Sequence, residues 1–231
     1  MLFLIPTVLA ENTAEQVLNP QILHILAETK HFLVENVRTT RRTIAGLKLG
    51  IVIDDLTFYE LTKDTPEAET KANLLKIKDL NVNAGVISEA GCPGIADPGA
   101  VAVGIAHEIG MKVVPLVGPN SIVMALMASG LNGQSFAFTG YLPIDKTLKT
   151  KAIKALEQEA KRKNQTQIFM ETPYRNNQLF DDLLAICLPD TLLCVAADIT
   201  GAEEFIQTYS IKNWKQHKPE LHKKPCIFLL L

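Results

Sequence analysis

Val86-Ile87-Ser88-Glu89-Ala90-Gly91-Cys92-Pro93-Gly94-Ile95-Ala96-Asp97-Pro98-Gly99 runs a short apolar strand into a loop of acids, glycines and prolines. Gly91, Gly94 and Gly99 allow positive φ or close approach of the backbone to a ligand, and Pro93 and Pro98 stiffen the chain between them. The residues after this loop, 100–109, read as a helix. The loop therefore sits where open α/β sheets bind ligands, outside the carboxyl end of a strand. The alternative is a rigid turn that only joins strand to helix.

Outward from this loop the pattern repeats. Strand-like runs at 2–5, 32–34, 50–53, 85–88 and 112–115 alternate with helical patterns at 19–28, 38–47 and 67–79, which predicts a first α/β lobe with a largely parallel sheet. Gly118-Pro119 breaks the chain, and Asn120-Ser121 is suited to cap a helix over 122–129. Strands at 136–139, 167–171, 192–196 and 227–231, with helices at 150–163 and 176–186, predict a second α/β lobe. The expected division is 1–116 and 117–231.

The chain has 231 residues, 47% of them hydrophobic, enough to bury a sizeable core. Its formal charge of −2 supplies no global attraction to nucleic acid, so RNA binding would need a local basic face. Lys161-Arg162-Lys163 reads as a solvated helix end. Cys92, Cys187, Cys194 and Cys226 show no C-x-x-C spacing, and the five histidines no ligand spacing, so reduced thiols and no metal are expected. Residues 1–6 lack the basic n-region of a signal peptide, and no apolar run approaches the roughly 20 residues of a membrane span. A cytoplasmic protein is the expectation.

The 89–99 loop, followed by Gly110-Met111-Lys112-Val113-Val114-Pro115-Leu116-Val117-Gly118-Pro119-Asn120-Ser121 and by Gly140-Tyr141-Leu142-Pro143, resembles the tetrapyrrole-methylase family of S-adenosylmethionine methyltransferases. Within it the likeness is greatest to the branch that methylates ribose 2′-hydroxyls of small-subunit ribosomal RNA. The resemblance implies two α/β lobes with the cofactor cleft between them, and a homodimer. Carried onto this chain, it implies cofactor contacts at Leu9, Glu89, Ala90, Cys92, Ser121, Ile122, Met170, Glu171, Ala197 and Pro225. It places Glu35, Arg38, Asp97 and Arg175 toward the substrate. It identifies no catalytic residue.

Other readings of these residues stay open. Cys92 is equally a core thiol, Asp97 a brace for its own loop, Ser121 an ordinary helix cap, and Glu35 with Arg38 a buried ion pair. Arg175 is either an anion contact or half of a helix-start ion pair.

Three segments depart from the family. Its first loop, of the Pro-Thr-Pro-Ile-Gly-Asn-Leu type, is here Pro6-Thr7-Val8-Leu9-Ala10-Glu11-Asn12, without glycine. Its Glu-Asp-Thr-Arg is here Glu35-Asn36-Val37-Arg38. Its basic Arg-Glu-Leu-Thr-Lys is here Ala197-Asp198-Ile199-Thr200-Gly201, with both cations gone. Methyl transfer to an RNA ribose is the leading expectation. A small-molecule or tetrapyrrole acceptor and a non-catalytic relative that binds S-adenosylmethionine are the alternatives.

Overall fold

The computed structural model describes residues 1–231, which form two compact units, Met1–Asn120 and Ser121–Leu231. The first holds β1 (Leu2–Ile5), α1 (Ala14–Val17), α2 (Pro20–Glu28), β2 (His31–Val34), α3 (Val37–Gly46), β3 (Thr57–Glu60), α4 (Glu67–Asp79), β4 (Ala84–Ile87), α5 (Gly99–Glu108) and β5 (Val113–Pro115). Its sheet has the order β3-β2-β4-β1-β5, and every pairing is parallel.

Alternation along the strands divides the core between the two faces of this sheet. Leu2, Leu33, Ala84 and Val86 pack with Leu74, Ile77, Ala102 and Ile105 from α4 and α5. Phe3, Ile5, Phe32, Val34 and Ile87 pack with Ile22, Leu26 and Ile44 from α2 and α3. β4 is buried throughout, as a central parallel strand must be. At Gly85 a Cβ would lie 2.6 Å from the Ile5 side chain and 3.0 Å from Phe32, so glycine makes room for both.

The strand expected at 50–53 is not formed. Lys48 and Gly50 both take left-handed conformations (φ +54° and +74°), which breaks an extended run, and Ile53–Asp55 coil into a 3₁₀ turn. Ile51 and Ile53 still pack partly against the core, which is why they are apolar. The strand comes later, as β3.

The second unit holds α6 (Ser121–Ser129), β6 (Phe136–Tyr141), α7 (Lys146–Lys163), β7 (Thr166–Met170), α8 (Asn176–Ile186), β8 (Leu192–Ala197), β9 (Phe205–Ser210), α9 (Ile211–Trp214) and β10 (Cys226–Leu230). Its sheet has the order β6-β7-β10-β8-β9; β6 and β7 are parallel and the other pairings antiparallel. The last strand of the chain is thus the middle of this sheet. Phe169 and Phe228 stack across it, and Trp214, fully buried, donates from Nε1 to the Leu193 carbonyl (2.8 Å).

No helix is long and apolar enough to cross a membrane. All four cysteines are free, and burial pushes the Cys187 and Cys226 thiols up to about 12 and Cys194 up to about 11.

Candidate cofactor and acceptor site

In the first unit the loops that leave β1, β4 and β5 converge, because these strands are neighbours and run in one direction. The Thr7 N–H donates to the Gly91 carbonyl (2.9 Å), the Thr7 hydroxyl to the Ser88 carbonyl (3.2 Å), and the Ser88 hydroxyl to the Gly91 carbonyl (3.2 Å). Gly91 has φ +72°, and a Cβ there would stand 3.1 Å from Leu9 and 3.2 Å from the Pro119 carbonyl. At Gly118 a Cβ would lie 2.3 Å from the Pro6 ring. The first loop needs no glycine of its own, since the close approach is provided by the loops it meets.

Leu9 and Cys92 are brought together around Gly91. Cys92 Sγ donates to the Pro119 carbonyl (3.2 Å), and burial raises its thiol above the ordinary range, against a hydrogen bond with the Asn120 side chain. Glu89 and Ala90 stand exposed between the buried Ser88 and Gly91. The result is a rim with apolar flanks and a free acidic edge.

Glu35 and Asp97 are brought together on a neighbouring cavity of about 800 Å³, which is also lined by the 61–65 loop, Glu67 and Val101. Asp97 braces its loop: Oδ1 accepts the N–H groups of Gly94 (2.7 Å) and Gly99 (2.8 Å), while Oδ2 is enclosed without a partner. Burial raises the Asp97 pKa in spite of those N–H groups. Glu35 is also raised, by burial first and then by the Asp97 charge, and its carboxylate accepts the Glu89 N–H. No Glu35–Arg38 ion pair exists. Arg38 is exposed and does not line the cavity. Asn36, where the family resemblance leads one to expect an acid, caps α3 by accepting the Thr39 N–H (3.1 Å).

In the second unit Ser121 starts α6, half-buried, and Ile122 is buried behind it. Met170 ends β7, beside Tyr141 of β6 and Ile227 of β10. Glu171 is buried, and its Oε1 accepts the Thr172 N–H and Arg175 Nη2, both at 2.6 Å. Burial alone would raise the Glu171 carboxyl, but Arg175 and the Thr172 N–H outweigh it and hold the pKa low. Ala197 is fully buried opposite Cys226, and the adjoining Asp198 N–H donates to the carbonyl of exposed Pro225 (2.9 Å).

One feature of this end of the sheet escaped the sequence. Asn176 Nδ2 donates to the Lys224 carbonyl (2.6 Å) and Asn177 Oδ1 accepts the Leu221 N–H (2.9 Å), which fastens the start of α8 to the loop before β10. The adjacent asparagines at a helix start were its only signal. No group of three or more His, Cys, Asp or Glu side chains gathers closely enough to hold a metal ion.

No family model matches the chain. A ribosomal RNA small subunit methyltransferase I of Vibrio cholerae is 33% identical over 208 residues, covering 90% of this chain and 67% of that protein. The chain belongs to the ribosomal RNA small subunit methyltransferase I family. A family member from Halalkalibacterium halodurans is 30% identical (80% of this chain, 61% of that protein), and one from Escherichia coli O157:H7 is 29% identical (89% and 67%). The chain therefore spans about two thirds or less of the length of these relatives. Methyltransferases of this family use S-adenosylmethionine.

Among solved structures, the methyltransferase CobJ aligns with a TM-score of 0.62 at 16% identity, covering 99% of this chain and 91% of that one. A uroporphyrin-III-C-methyltransferase from Thermus thermophilus aligns with 0.55, also at 16% identity, covering 99% and 90%. The α/β architecture of the tetrapyrrole-methylase type expected from the sequence is the fold observed.

Proposed function

We propose that this protein transfers a methyl group from S-adenosylmethionine to a ribose hydroxyl of small-subunit ribosomal RNA, as a cytoplasmic homodimer. The observation that carries this reading is the 33% identity to a ribosomal RNA small subunit methyltransferase I across 90% of the chain. The residues we assign to the cofactor lie in both units. In the first, Leu9 and Cys92 provide apolar flanks, exposed Glu89 a hydrogen-bond acceptor, and the acids Glu35, Glu89 and Asp97 an environment that favours a cation such as a sulfonium. In the second, we assign to the cofactor the half-buried Ser121 and Met170, the exposed Pro225, and the backbone of buried Ile122, Glu171 and Ala197.

S-adenosylmethionine, when bound, supplies a methyl already activated on sulfur, so the protein's task is to orient the acceptor and exclude water. Glu35, with a raised pKa on that cavity, is the group we assign to accept a hydroxyl's hydrogen bond, while Asp97, with Oδ1 taken by its own loop and Oδ2 enclosed, raises Glu35 from behind. The loss of both cations between Ala197 and Gly201 favours, as second reading, a small-molecule or tetrapyrrole acceptor.

The test is transfer of labelled methyl to small ribosomal subunits purified from a strain lacking the activity. Label that maps to one 2′-hydroxyl is the expected result. S-adenosylmethionine binding with no label in ribosomal RNA would exclude the RNA reading, and failure of the folded protein to bind it would exclude methyl transfer altogether. Light scattering on the same sample reports the dimer.

A further inference from the structure

We propose that the end of β6 and the outer face of α7 form an RNA-docking surface, with Tyr141 stacking an unpaired base and Lys151 and Lys154 holding phosphates. The inference rests on the reading of the protein as a ribosomal RNA methyltransferase and names the surface that takes the RNA.

The register of β6 against β7 shifts between Phe138 and Tyr141, where Gly140 takes φ +72°. Such a bulge re-aims the side chain that follows it. Tyr141 emerges 59% exposed, although its backbone lies beside Met170, a candidate cofactor residue. Ile144 is 72% exposed just beyond it. An exposed aromatic with an apolar neighbour at a strand end suits a base drawn out of its stack, since every base has a π-face.

α7 continues from this point. Elsewhere in the unit the cations are mostly spent on carboxylates: Lys149 on Asp182, Arg162 and Lys163 on Glu159, Lys212 on Asp190, Lys218 on Asp181. Lys146, Lys151 and Lys154 are exposed and make no ion pair. Thr147, Lys151, Lys154 and Gln158 follow one another at helical spacings of four, three and four, so they share one face, and no acid interrupts it. Asp145, the nearest carboxylate in sequence, is occupied as helix cap by the Leu148 N–H (2.8 Å). A chain of net charge −2 lacks a general pull on RNA, so a local face of unneutralised lysines is where phosphates bind.

The experiment follows fluorescence anisotropy of a labelled single-stranded RNA of mixed sequence, between about 50 and 200 mM salt. The Lys151→Ala/Lys154→Ala variant should bind several-fold more weakly, with a salt dependence shallower by about 1.4, since each single-strand phosphate contact contributes about 0.7. Tyr141→Ala should lose about tenfold and Tyr141→Phe should restore it, because the ring and not the hydroxyl stacks. Calorimetry with S-adenosylmethionine should give the wild-type affinity for the lysine variant. Unchanged RNA affinity and salt slope in that variant, with ribosomal RNA still methylated, would overturn the surface and leave the function standing. A wild-type protein that binds S-adenosylmethionine but no RNA would overturn both.

Discussion

Glu171 and Arg175 divide the work of one ion pair unequally. The Glu171 side chain is 1% exposed and the Arg175 side chain 40%, so the acid depends on the base far more than the base on the acid. Removing the guanidinium by Arg175→Ala leaves a buried carboxylate with only the Thr172 N–H, and this should cost about 2 kcal/mol, less than for a fully enclosed pair because water reaches the arginine. Urea denaturation measures it. Because the folded pKa of Glu171 lies below its ordinary 4.5, the pair's contribution is complete above that value and is lost as pH falls through the folded pKa. The urea midpoint of the wild type should therefore fall more steeply below pH 4.5 than that of Glu171→Gln. Parallel acid limbs would refute the assignment.

Two glycines make opposite predictions at the same scale. At Gly118 an added Cβ would meet two rigid Pro6 ring atoms at 2.3 and 2.4 Å, so Gly118→Ala should destabilise by about 1–3 kcal/mol and loosen the junction of the first and third loops. At Gly46, the last residue of α3, nothing lies within 4 Å and φ is not left-handed, so Gly46→Ala should stabilise by about 0.4–1 kcal/mol. Thermal melts of the two variants against wild type decide between crowding and chain entropy as the controlling effect.

At the scale of elements, one carboxylate oxygen closes the second half of the 89–99 loop. Asp97→Asn keeps an oxygen for the Gly94 and Gly99 N–H groups, whereas Asp97→Ala orphans both and should cost about 2 kcal/mol. The Asn variant also removes a negative charge that raises Glu35, so Glu35 should titrate lower in it. A carboxyl chemical-shift titration checks this, and an unmoved Glu35 would show that the two carboxylates do not sense one another.

The placement of this loop was legible in the sequence because its signals are local: a buried apolar run, then glycines and prolines at fixed spacing. β1, β2 and β4 were legible for the same reason. The strand at 50–53 misled because apolar alternation there reflects packing of an irregular segment, and left-handed Lys48 gives no sequence sign. The Asn176–Lys224 bond was not legible at all, since its value comes from a partner 48 residues away. Asn36, which reads as a loss against the family's acid, is a substitution of one good helix cap for another.

At the scale of the whole molecule, chain order and sheet order diverge most in the second unit, where β10 enters last and lies between β7 and β8. All five of its residues are buried, and Phe228 stacks on Phe169. Deleting 226–231 would split that sheet into two parts with no shared strand, and buried hydrophobic area on this scale exceeds the few kcal/mol that stabilise a domain. The first unit has its own sheet and its own two core clusters, all from residues before Asn120, and should survive the deletion. The chain's one tryptophan separates these outcomes, because Trp214 is fully buried in the second unit, against Phe180 and Tyr209. The truncated protein should show the red-shifted emission of a solvated indole while keeping part of its helical circular dichroism, and protease should leave a fragment ending near residue 120. A truncated chain with unshifted tryptophan emission would mean that β10 is dispensable to the sheet it centres, and complete loss of helical signal would mean that the first unit cannot hold its fold without the second.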